Sequence, residues 1–116
     1  MKLVDIYRVK TYVIPEYVEN LIQSVLSVDD LQVGQYKNVM WQTKDGMQFV
    51  PSGTAVPMEG KIGEKERVTS LRIEFSIPRD EDLLTKVIEQ GIYAAHPWDE
   101  PVVQVTEERE ARKHES

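Results

Sequence analysis

Leu71-Arg72-Ile73-Glu74-Phe75-Ser76-Ile77-Pro78-Arg79-Asp80-Glu81-Asp82-Leu83-Leu84 passes from a strand pattern to a helix pattern within fourteen residues. From Leu71 to Ile77 apolar and polar residues alternate. Leu71, Ile73, Phe75 and Ile77 therefore share one face of a strand, and Arg72, Glu74 and Ser76 share the other. Pro78 ends the strand. Asp80, Glu81 and Asp82 then fall where the positive end of a helix dipole favours carboxylates. Leu83, Leu84, Val87, Ile88 and Ile92 follow at helical spacing, which predicts a helix ending near Ala95, before Pro97.

The same strand-then-helix order opens the chain. Tyr7, Val9, Thr11 and Val13 alternate with Arg8, Lys10 and Tyr12, the pattern of a half-buried strand. Pro15 suits a first helical turn, Glu16 and Glu19 suit its dipole, and Val18, Leu21, Ile22, Val25 and Leu26 predict a helix over 15–28. A second strand is expected over 36–43. Lys44-Asp45-Gly46 carries the Asp-Gly signal of a hairpin turn, with a short return strand over 47–50. Residues 51–63 have no period, and the loop 52–64 is long enough to be read as mobile or functional. Residues 102–106 form a last strand. Residues 107–116 are nearly all charged with no apolar face, which predicts a frayed helical end or a disordered tail. The order strand, helix, strand, strand, helix, strand is the split βαβ pattern. It predicts an α+β, ferredoxin-like βαββαβ fold over 1–106, with an antiparallel sheet, two helices on one face and a charged tail over 107–116. The uncovered sheet face, with Tyr12 and the Trp41 strand, calls for a second copy of the chain, so a homo-oligomer is expected.

The bulk numbers agree with one globular domain. There are 116 residues, 41% of them apolar and 29% charged, enough chain to bury a core without disulfides or a structural metal. The chain has no cysteine, which removes a disulfide framework, a thiolate zinc site and a cysteine nucleophile. A net charge of −6 with scattered basic residues argues against nucleic acid and against an anionic membrane surface. No stretch reads as a signal peptide or a membrane span, so a cytoplasmic location is expected.

Two segments carry the chemistry. The densest is His96-Pro97-Trp98-Asp99-Glu100-Pro101, an imidazole, two carboxylates and an indole held between prolines. Its functional reading is a ligand site, or a divalent metal site with His96 and Glu100 as donors. Its plainer and favoured reading is a rigid turn in which His96 caps a helix, Trp98 packs and the acids are solvated. Trp41-Gln42-Thr43 is the other, with Trp41 as interface or core and Gln42 on the opposite face. In the loop, Gly60 and Gly63 could bring backbone N–H groups to an anion or serve only as turn residues. Gly60-Lys61 is followed by Ile62, which rules out a phosphate-binding loop. There is no nucleophile elbow and no paired-histidine metal spacing. The residues thus call for no catalysis and no cofactor, apart from the divalent metal ion that His96 and Glu100 could hold.

Val33-Gly34-Gln35-Tyr36, Trp41-Gln42-Thr43, Phe49-Val50-Pro51, Glu59-Gly60-Lys61-Ile62-Gly63 and His96-Pro97-Trp98-Asp99-Glu100-Pro101 together resemble, in order, the YqfO-type domain of the NGG-interacting-factor-three-like family. The resemblance covers about residues 7–106. It implies a CutA/P-II-like domain in stand-alone form, commonly a trimer, that presents a small ligand or a partner protein with clefts between subunits. The polar groups there would be His96 and Glu100, with Trp98 and Trp41 as apolar walls and Gln42, Gly60 and Gly63 nearby. The larger relatives carry a two-metal site and a proposed GTP cyclohydrolase-like activity in a main body that has no counterpart here. Val39 and Met40 stand where small relatives often carry a cysteine pair.

Overall fold

The computed structural model describes residues 1–55 and 60–114. Strand β1 runs Lys2–Val13, and a 3-10 turn over Pro15–Tyr17 leads into helix α1, Val18–Val28. Strand β2 is Trp41–Phe49 and β3 is Glu66–Pro78. Helix α2, Glu81–Lys86, continues as a π-helical stretch over Val87–Tyr93, and β4 is Val103–Arg112. The four strands form one sheet in the order β2-β3-β1-β4 with every neighbour antiparallel. This is the predicted ferredoxin-like arrangement.

Alternation places the core as expected. Val9, Val13, Ile73, Phe75 and Ile77 are fully buried on one face, against Leu21 and Val25 of α1 and Val87 and Ile92 of the second helical segment. Each such side chain stabilises the fold by about 1.5–3 kcal/mol. The acidic run at the start of α2 acts as its spacing suggests, because the Asp80 carboxylate accepts a hydrogen bond from the Leu83 amide at 3.1 Å. Gly91 sets the helix crossing: a Cβ there would stand 3.3 Å from the Val25 Cα. Close approach lets the Ser24 hydroxyl donate to the Gly91 carbonyl at 2.6 Å, within the π-helical stretch. No helix among the described residues is long and apolar enough to cross a membrane.

Three sequence expectations are corrected. Lys44-Asp45-Gly46 is not a turn: β2 runs straight through it, with Asp45 opposite Ser70 and Gly46 opposite Thr69 of β3. The long-range ladder outweighs the local turn preference, and the chain reverses between Phe49 and Glu66 instead. Residues 36–40 are not strand. A turn closed by Val33 and Tyr36 precedes them, and Asn38 has a φ of 59°. Residues 107–112 are neither frayed nor helical. They extend β4 along β1, from Glu107 opposite Tyr7 to Arg112 opposite Lys2. The expected mobile loop 52–64 falls partly on 56–59, outside the described residues. Its described ends are tied, since the Gly63 amide donates to the Pro51 carbonyl at 2.7 Å.

The register leaves two overhangs. β2 and β3 pair alone from Asp45–Phe49 against Glu66–Ser70, past the last β1–β3 pair at Val13 and Leu71. At the other end β1 and β4 pair alone over Lys2–Asp5, past Pro78. These overhangs stretch the molecule to 53 × 26 × 23 Å.

Candidate functional site

The second helix ends just before His96, and β4 begins at Val103, so the turn 96–101 lies where β4 has not yet reached β1. His96 fills that place. Its Nε2 is 2.6 Å from the Tyr12 carbonyl oxygen, and its Nδ1 is 3.2 Å from the Trp98 backbone nitrogen. A carbonyl only accepts and an amide only donates, so the ring carries its proton on Nε2 and offers a lone pair on Nδ1. That is the neutral imidazole. Burial pushes its pKa below the ordinary histidine value, with the Tyr12 contact pulling the other way. The Trp98 indole leans on the ring at a centroid distance of 4.9 Å and 56°. On either side, the Thr11 hydroxyl donates to the Val102 carbonyl at 2.9 Å and the Tyr12 hydroxyl donates to Gln104 at 3.1 Å.

This geometry is a backbone cap. With both nitrogens engaged, the ring has no lone pair left for a cation. Glu100 is exposed to solvent, and among the described residues no group of three or more His, Asp or Glu side chains is placed to hold a metal ion.

The opposite half of the expected site stands on β2. Trp41 is 53% exposed and pairs with Glu74, whereas Gln42 pairs with buried Ile73 and so faces the helix side. Trp41 and the turn are not on neighbouring strands, because β3 and β1 lie between β2 and β4. Gly60 has a φ of +83°, and a Cβ there would collide with the Glu66 side chain at the start of β3. With the Gly63 amide committed to Pro51, the described part of the loop behaves as a turn at the tip of the β2–β3 overhang.

Sequence reasoning missed the centre of the open sheet face. Arg8 reaches Glu110 at 2.7 Å, Glu108 at 3.3 Å and Glu74 at 3.6 Å, and its guanidinium lies 5.8 Å from the Trp41 ring centroid. Arg112 closes the network on Glu110 at 2.5 Å. The Thr106 hydroxyl at 2.6 Å, opposed by desolvation and helped by Arg8, holds the Glu108 carboxyl below its usual range. The available signal was the period of two in Glu108, Glu110 and Arg112, which marks one face of a strand inside a stretch read as tail.

No protein-family model matches the chain. A GTP cyclohydrolase 1 type 2 homolog of Staphylococcus epidermidis is 30% identical over 96 residues, covering 83% of this chain and 25% of that protein. A solved Bacillus cereus protein related to NIF3 superposes with a TM-score of 0.71 at 26% identity, over 92% of this chain and 26% of that one. The chain is a relative of one domain of the NIF3-related proteins. It spans about a quarter of the length of the relatives it matches. The fold of this NIF3-related domain recurs in the divalent cation tolerance protein CutA of Archaeoglobus fulgidus, with a TM-score of 0.64 at 12% identity over 93% of this chain and 88% of that one. It recurs again in Bacillus subtilis GlnK, with a TM-score of 0.54 at 15% identity over 89% and 84%.

Proposed function

We propose that this NIF3-related chain is a non-catalytic, homo-oligomeric binding or regulatory module of P-II/CutA type, taking a small ligand or a partner protein at clefts between copies. One observation carries the reading: the candidate residues are divided between the two edge strands. Trp41 stands on β2, and His96 and Trp98 stand on the turn that feeds β4. Three strand spacings, about 14 Å, separate those edges. Among the described residues neither edge has a further strand partner. A head-to-tail contact that sets the β2 edge of one copy beside the β4 edge of the next would bring Trp41 to the turn. Repeated around an axis, such a contact closes a ring, and three copies is the number that the sequence resemblance implies. The name GTP cyclohydrolase 1 type 2 homolog belongs to proteins about four times as long, and this reading assigns the chain no turnover.

Light scattering on Trp41→Glu tests the edge placement. A carboxylate at Trp41 would replace the apolar wall of the contact with a charge that burial disfavours, so the variant is expected to run as a folded monomer where the wild type runs as a single oligomer. A variant that keeps the wild-type mass overturns the placement.

A further inference from the structure

The turn 96–101 holds a feature that the binding reading leaves unused. His96 serves two backbone groups of opposite kind through two nitrogens that answer differently to a proton. Nε2 donates to the Tyr12 carbonyl whether the ring is neutral or charged. Nδ1 accepts from the Trp98 amide only while it is unprotonated. A second proton must go to Nδ1, and it then points an N–H at an N–H.

We propose that His96 makes the turn 96–101 a pH-sensitive latch with a fixed side and a releasable side. Protonation keeps His96 tied to β1 through Tyr12 and strengthens that bond by charge. The same proton expels the Trp98 amide, so the first half of the turn opens while the helix end stays docked.

The surroundings favour the closed latch at neutral pH. The charged groups nearest Tyr12 in the ladder are Lys10 on β1 and Arg72, its partner on β3, and Asp99 and Glu100 lie in the turn itself. The first residues of β4, Val103 to Thr106, are uncharged, and Ala94 and Ala95 precede the ring. The ring meets the Tyr12 carbonyl, the Trp98 amide and the tilted Trp98 indole. Burial favours the neutral ring and so keeps the latch closed at neutral pH. Because Trp98 sits at the edge proposed for ligand contact, opening would alter that edge. The latch itself rests only on contacts within one chain and stands whether or not the chain assembles.

Amide hydrogen exchange followed by NMR between about pH 7.5 and about pH 5 tests this, over the range in which a histidine changes charge. After correction for intrinsic exchange, protection of the Trp98 amide should fall roughly tenfold, the loss of about one hydrogen bond. Phe75, fully buried in β3, should keep its protection as the control for global unfolding. In His96→Gln the pH step at Trp98 should vanish. A second reading needs no variant: ring nitrogen shifts of His96 in the wild type should report the Nε2–H tautomer at neutral pH. An unchanged Trp98 protection across the range, a step that survives in His96→Gln, or an Nδ1–H tautomer would each overturn the latch.

Discussion

At the scale of single residues, two positions hold the fold and the turn in place by different means. Gly91 works by having no side chain. With its absent Cβ only 3.3 Å from the Val25 Cα, Gly91→Ala requires the α1 backbone to give by a few tenths of an ångström and should cost about 1–3 kcal/mol in urea unfolding. A loss below about 0.5 kcal/mol, an ordinary surface effect, would mean the crossing is looser than described. His96 works by staying neutral. Its folded pKa is depressed, so the folded state binds fewer protons than the unfolded state near the free value of about 6.5. Its contribution to stability is therefore complete above about pH 6.5 and is lost as the pH falls towards the folded pKa. Urea midpoints of the wild type should drop across that window more steeply than those of His96→Gln, and parallel curves would contradict this. The sequence suggests a ligand site or a rigid turn at 96–101 with His96 capping the helix end; the structure sets the ring instead on the Tyr12 carbonyl of β1 and the Trp98 amide. That carbonyl is 84 residues away in the chain, and no local pattern reveals a partner at that distance.

At the scale of elements, strands and helices with strong periodicity were legible and those built by pairing were not. β3 and α1 announce themselves because their apolar residues repeat with the period of the element that buries them. The continuous β2 was hidden because Asp45-Gly46 is a good turn in isolation, and only the facing Ser70 and Thr69 hold it straight. The end of β4 was hidden because its side chains bury no core. It is held by the β1 ladder and by Arg8, which meets Glu108 and Glu110. That difference can be measured. A chain ended after Thr106 would be harmless if 107–112 were a tail. Here it strips β1 of its partner from Lys2 to Tyr7 and should cost well over ~2 kcal/mol, beyond the effect of most single substitutions. Arg8→Ala should also destabilise, because it leaves Glu74, Glu108 and Glu110 facing one another, with its Arg8 side chain only 15% exposed in the wild type. Added salt should recover part of that loss by screening the carboxylates. A loss indifferent to salt would place the role of Arg8 in packing alone.

At the scale of the whole molecule, the described residues build one core on the helix side of the sheet and leave both sheet edges and the other face uncovered by any described element. Two-stranded ribbons such as the β2–β3 overhang are marginal by themselves in water, and exposed edges invite pairing with another chain. Those features, with Trp41 on one edge and the His96–Trp98 turn leading to the other, are what the assembly reading rests on. Native mass spectrometry of the untreated wild-type protein tests it most directly. One closed oligomer, a trimer, is expected, with Trp41→Glu reduced to single chains; a wild type that flies as a monomer at micromolar concentration would rule out assembly through the two edges.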